Sequence, residues 1–234
     1  MPGYLLLEGG AEFGGLMSQP DRRALELAGG PAAAVNIIPT AAAPDKNDRR
    51  AGNNGARWFR SLGAGNVAVV PIIDTTSAND PRLAEQVRQS RLIYLLGGFT
   101  GYLGDTLKGS LCWQAALEAY AENALLAGSS AGAMVLCQYY FDPARQQVVQ
   151  GLNLLPNTCV LPHHNTFGQR WAQRLTALLP EVVLLGIDEY TGMLDDGDER
   201  KLTWRVYGQG AVTLYRHGQP VLYSSGEQFS LERS

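Results

Sequence analysis

The chain has 234 residues, 45% hydrophobic and 18% charged, which is enough apolar material for a sizeable core and too little charge for disorder. With 19 Lys and Arg against 22 Asp and Glu, the net charge of −3 lacks the basic excess that phosphate backbones demand. Three scattered cysteines without Cys-x-x-Cys spacing exclude a disulfide framework or zinc knuckle, and no window approaches the roughly 18 apolar residues of a membrane span. No basic residue precedes the first apolar run, so nothing resembles a secretory leader. The expectation is a soluble cytoplasmic protein with neither nucleic acid nor membrane as partner.

In chain order, Tyr4 to Leu7 reads as a buried strand ending at Glu8-Gly9-Gly10. A helix from Asp21 to Gly29 stops at Gly29-Gly30-Pro31, and Val35 to Ile38 forms the next strand. Arg49 to Leu62 is helical, Val67 to Ile73 apolar, and Asn79-Asp80-Pro81 opens a helix to about Gln89. Leu92 to Leu96 ends in Gly97-Gly98, and Ala124 to Ala127 and Val182 to Ile187 are two further runs. Continuous apolar runs suit strands covered on both faces, and their alternation with helices argues a parallel sheet between helical layers. After Tyr190 the pattern alternates. Leu202 to Val206 and Ala211 to Tyr215 flank Gly208-Gln209-Gly210 and predict an antiparallel hairpin, completed by Pro220 to Tyr223. No linker or repeat divides the chain, so residues 1–234 are read as a single α/β domain.

The sharpest chemical signal is Gly128-Ser129-Ser130-Ala131-Gly132, a Gly-x-Ser-x-Gly spacing between an apolar run and a stretch, Ala131 to Gln138, that can be helical. Strand, tight turn and helix make a nucleophile elbow, with small neighbours that let a carbonyl approach Ser130. The N–H of Ala131, at the helix start, would face the developing oxyanion, and the glycine-rich strand end Gly97-Gly98 could supply a second donor. A serine needs a base. Of three histidines, His217 lies in a turn, which leaves His163 or His164 at the end of Val160-Leu161-Pro162. For the orienting acid, Asp188 and Glu189 follow one apolar run, and Asp142 competes. Asp195 to Glu199 has the wrong spacing for a calcium loop and reads as a solvated turn.

Together these pieces resemble the cyanophycinase and aspartyl dipeptidase (dipeptidase E) family of serine peptidases: Leu7-Glu8-Gly9-Gly10, Leu95-Leu96-Gly97-Gly98, Ala127 to Ala133, Pro162-His163 and Gly186 to Thr191. The resemblance implies a class I glutamine amidotransferase-like, flavodoxin-like three-layer α/β/α sandwich with a mainly parallel central sheet, here carrying the C-terminal hairpin. It implies a Ser–His–acid triad with an acyl-enzyme intermediate, needing neither cofactor nor metal. By position, Ser130 matches the nucleophile, His163 the base, Glu189 the acid, and Gly98 and Ala131 the oxyanion donors. Pro162 stiffens the approach to His163 and supports the same choice. The chain departs from cyanophycinases at Phe99-Thr100, where they carry an Asp-Gln pair, and at Arg170 and Arg174, where they carry closely spaced arginines. Substrate contacts are expected from Phe99, His164, Asn165 and Arg170, on a small peptide or amide. Two other readings stand beside this one: a non-catalytic small-molecule-binding module on the same scaffold, and an esterase. A homodimer covering an apolar edge is one arrangement the chain allows.

Overall fold

The computed structural model describes residues 3–197 and 203–231. Its elements begin with β1 (Leu5–Glu8), α1 (Ser18–Leu27), β2 (Ala34–Ile38), α2 (Asp48–Ser61), β3 (Asn66–Val69), α3 (Thr75–Ala78), α4 (Pro81–Arg88) and β4 (Leu92–Leu95). Next come α5 (Thr100–Leu107), α6 (Leu111–Ala121), β5 (Leu125–Ser129), α7 (Ala131–Leu136), β6 (Cys137–Asp142), β7 (Gln147–Gln150) and β8 (Leu155–Leu161). The last third holds α8 (Ala172–Leu178), β9 (Val183–Ile187), β10 (Thr191–Leu194), β11 (Thr203–Gly208), β12 (Ala211–Arg216), β13 (Gln219–Ser224) and β14 (Gln228–Ser230).

An eight-stranded sheet in the order β14-β11-β10-β1-β5-β4-β2-β3 forms the centre, and β1, β5, β4, β2 and β3 are all parallel. The apolar runs become strands buried on both faces because successive side chains alternate. Leu6, Tyr94 and Leu125 face a core closed by α1 and α2 through Leu25, Ala56 and Phe59. Leu5, Leu7, Ile93 and Leu126 face the opposite core, closed by α5, α6 and α7 through Leu103, Ala116 and Val135. This is the three-layer sandwich that the strand–helix rhythm predicts. Helix starts obey the local chemistry: Pro81 opens α4 behind Asp80, whose side chain accepts the Arg82 N–H at 2.8 Å.

A second, six-stranded sheet in the order β13-β12-β9-β8-β6-β7 packs beside the first. One face joins the α5–α7 core through Val160, Leu185 and Val212, and the other lies under α8 through Cys159, Leu184 and Leu175. The sequence does not announce it. The helix expected through Gln138 stops at Leu136, and the aromatic run Tyr139-Tyr140-Phe141 continues as strand.

The predicted hairpin is corrected. β11 and β12 do not pair across Gly208-Gln209-Gly210: β11 lies between β10 and β14 in the central sheet, and β12 between β9 and β13 in the other. Alternation fixes which face of a strand is buried but not which strand it pairs with, so two strands adjacent in sequence go to different sheets. The true hairpin is β12–β13, closed by His217-Gly218 with φ of +49° and +76°, a two-residue turn that follows the strand twist. Leu202, the expected start of the first hairpin strand, and Asp198-Glu199 of the acidic turn lie outside the described residues. Among the described residues no helix is long and apolar enough to cross a membrane.

Candidate active site

Parallel strands end at a common edge, and the candidate residues gather there. Register pairs Glu8 with Ser129 and Leu95 with Gly128, so β1, β5 and β4 finish level. In the second sheet Leu161 of β8 pairs with Gly186 of β9, and these strands also end at the site. Ser130 follows the last residue of β5 directly. His163 and Glu189 each stand two residues beyond the ends of β8 and β9.

Ser130 has φ +49° and ψ −110°, a strained conformation that projects its side chain from the turn into α7. The turn is tight: a Cβ on Gly128 would sit 2.5 Å from the carbonyl carbon of Gly132. Ser130 Oγ lies 3.0 Å from His163 Nε2, and His163 Nδ1 lies 2.8 Å from Glu189 Oε1. Phe167 stacks on the imidazole, with ring centroids 4.9 Å apart. The N–H of Ala131 opens a helix and has no intrahelical acceptor. Gly98, at φ +138°, follows β4 on the same edge, while the next N–H, of Phe99, is already given to Ala41 O at 2.8 Å.

Three consecutive carbonyls at the end of β1 hold the candidate residues here, the last two of them reaching across to the second sheet. Glu8 O accepts the Ser130 N–H at 3.0 Å, Gly9 O the His163 N–H at 2.7 Å, and Gly10 O the Tyr190 N–H at 3.2 Å. The segment after β1 is therefore a jig on which the serine, the histidine and the residue following Glu189 all hang. Gly10, at φ +122°, must be glycine, since a Cβ there would lie 2.2 Å from His163 Cε1.

The other carboxylates expected to compete are engaged elsewhere. Asp142 is buried, accepts the N–H groups of Ala144 and Arg145, and organises the β6–β7 turn. Asp188 accepts the Ala211 N–H at 3.0 Å. Of the expected substrate contacts, Phe99 lines a pocket of about 300 Å³ beside Gly98, with Tyr102, Pro143 and Arg145 on its other walls. His164 does not reach the cleft and is corrected: it is 6% exposed, its Nε2 bonds Tyr215 Oη at 2.9 Å, and its ring faces β9 and β12. His163 itself has φ +49°, and this left-handed turn past the end of β8 carries its ring to Ser130 while the ring of His164 goes to Tyr215 of β12. Asn165 is exposed, and its Oδ1 accepts the Glu189 N–H at 3.0 Å. Arg170 is exposed in a short 3₁₀ turn, Gly168–Trp171, ahead of α8.

Sequence reasoning missed Glu12. Its Oε2 accepts the Ser129 hydroxyl at 3.0 Å, and a Cβ on Gly97 would meet both Glu12 Oε1 and Ser130 Cβ. It lies in an irregular loop, where no periodicity marks a side chain as inward-facing. No thiol competes as nucleophile: Cys137 is fully buried, and burial pushes it up to about 12. Among the described residues no cluster of His, Cys, Asp and Glu could hold a metal ion.

The chain matches the profile of peptidase family S51 over residues 5–203. It is 29% identical over 244 residues to a cyanophycinase of Geminocystis herdmanii (strain PCC 6308), covering 97% of this chain and 85% of that protein. Among solved structures, a peptidase from an acI-B1 actinobacterium is similar at a TM-score of 0.85 and 28% identity, covering 99% of this chain and 98% of the other. A Listeria monocytogenes EGD-e protein named after peptidase E shares the fold at a TM-score of 0.65 and 20% identity, covering 90% of this chain and all of that one. With the family profile spanning most of the chain, the protein belongs to peptidase family S51 and is a hydrolase, a serine-type peptidase acting on small peptides.

Proposed function

We propose that Ser130, His163 and Glu189 are the catalytic triad of this peptidase, with the N–H groups of Gly98 and Ala131 as the oxyanion hole. The observation that carries the reading is the imidazole of His163, bonded to Ser130 Oγ on one side and Glu189 Oε1 on the other. Ser130 Oγ attacks the peptide carbonyl while His163 Nε2 takes the hydroxyl proton. The resulting oxyanion receives the two backbone N–H groups, and the imidazolium returns its proton to the leaving amine. Water, activated by the same imidazole, then hydrolyses the acyl-enzyme. Glu189 fixes the tautomer and stabilises the imidazolium.

The pocket beside Gly98, with Phe99 and Tyr102 on its walls, suits an apolar or aromatic substrate side chain better than a highly charged one. The reading takes residues 1–234 as one cytoplasmic enzyme domain that needs no cofactor. Three unpaired, buried thiols support a reducing compartment. Mass spectrometry after fluorophosphonate treatment tests the nucleophile. One adduct is expected on Ser130, absent in Ser130→Ala, with peptide hydrolysis reduced by about 10⁴-fold or more. An adduct that survives the substitution removes Ser130 from the mechanism.

A further inference from the structure

Behind the jig lies a buried polar group that the triad does not use. The side chains of Glu8 and Asp21 are both fully buried. Glu8 Oε2 accepts the hydroxyl of Tyr94 from β4, and Asp21 Oδ2 accepts the Trp58 Nε1–H from α2 at 2.7 Å. The remaining oxygens, Glu8 Oε1 and Asp21 Oδ1, meet no N–H or O–H donor. The two carboxyl groups lie close enough for each to act on the other, with an unpartnered oxygen on each. Two ionised carboxylates only accept, so these oxygens can satisfy one another only when one group carries a proton.

The surroundings favour keeping it. Glu12 faces the pair from the loop after β1, and Tyr94 faces it from β4. Among the described residues, no Lys, Arg or His forms an ion pair with Glu8, Glu12 or Asp21. Burial first, and then the neighbouring Asp21 charge, push Glu8 well above the usual carboxylate range. Burial raises Asp21 to about 7.

We propose that Glu8 and Asp21 share one proton, and that this proton makes Glu8 a positioning residue for the reaction, holding in place the carbonyls from which Ser130, His163 and Tyr190 hang. The inference rests on the triad reading above. Removal of the proton would leave two adjacent buried charges. Their repulsion is relieved by moving Glu8, and any shift of Glu8 is transmitted through its own carbonyl to Ser130 and through the next two to His163 and Tyr190. A carboxyl raised in the folded state keeps its proton when the unfolded chain has lost it. With Asp21 ionising at about 7 and Glu8 held well above the usual carboxylate range, the last proton of the pair, and with it the arrangement, is lost only as pH rises through the folded titration of Glu8.

The test compares the fluorophosphonate labelling rate and kcat of the wild type with those of Glu8→Gln, from about pH 6 to about pH 10, each normalised to its own value at pH 6. The glutamine can accept from Tyr94 and donate to Asp21 without titrating. The wild type should lose at least about tenfold across the alkaline range and Glu8→Gln less than about twofold. Superimposable profiles, or a wild type with no alkaline loss, overturn the proposal. Should Glu8→Gln fail to fold, Asp21→Asn, which donates to Glu8 in the same way, carries the same comparison. If no variant labels at Ser130, the nucleophile assignment has failed instead, and infrared spectroscopy decides on the shared proton. A protonated-carboxyl band at neutral pH that Asp21→Asn removes supports it, and a wild type without that band overturns it.

Discussion

The two sheets contribute to the site in different ways. The central sheet offers Ser130 at the tip of a parallel strand buried on both faces, braced by a helix that starts at the next residue. The second sheet offers His163 and Glu189 from irregular segments two residues past their strands, held by backbone bonds to Gly9 and Gly10 and by the Asn165 side chain. The proposed nucleophile is thus fixed by packing, whereas the proposed base and acid are fixed by a few hydrogen bonds. Disturbing the packed side chains of either sheet should cost folding, and disturbing the hydrogen-bonded segments past β8 and β9 chiefly rate.

Substitutions at the adjacent histidines give the largest contrast. His163→Ala should lower kcat/KM by about 10³–10⁴-fold with little change in Tm, as steady-state kinetics and calorimetry would register. His164→Ala should keep labelling of Ser130 but lose about 2 kcal/mol of stability in urea unfolding, from the Tyr215 bond and the cavity left behind. Equal effects on rate would mean that His164 reaches the cleft after all. Next comes Gly10→Ala, which drives a methyl into the imidazole and should reduce kcat about a hundredfold without matching loss at the serine side. The crystal structure of that variant should show His163 displaced and Ser130 unmoved. The smallest effect is expected of Asn165→Ala. One hydrogen bond to the Glu189 N–H is worth about 1 kcal/mol, so kcat should fall about fivefold, with KM the control for a role in substrate contact.

The same contrast governs what could be read in advance. Runs such as Leu92 to Leu95 and Leu125 to Ala127 carry their burial in their composition, and Asp80-Pro81 carries a helix start, so the central layers were legible. The strand, tight turn and helix around Ser130 were legible too, because small residues there serve one geometry. β6 to β8 were not: Gln147–Gln150 is a half-exposed edge without an apolar signature. The transfer of the chain between sheets at Gly208-Gln209-Gly210 was equally hidden, since pattern fixes faces and leaves partners to tertiary packing. At the site, Ser130 and the pair His163-His164 stood out by residue type. Glu12 and Asn165 act through loop geometry that nothing local specifies.

The jig at Glu8, Gly9 and Gly10 has a consequence for the order in which the protein comes into being. During synthesis the first sheet's edge and Ser130 are made well before Glu189 and the strands flanking it. The bonds to Ser130, His163 and Tyr190 span most of the chain, and contacts of such sequence separation close late in folding. A ribosome-bound or truncated chain would therefore display Ser130 before His163 and Glu189 are in register with it. On the triad proposed above, proteolytic competence would arrive only once the strands around Glu189 have docked.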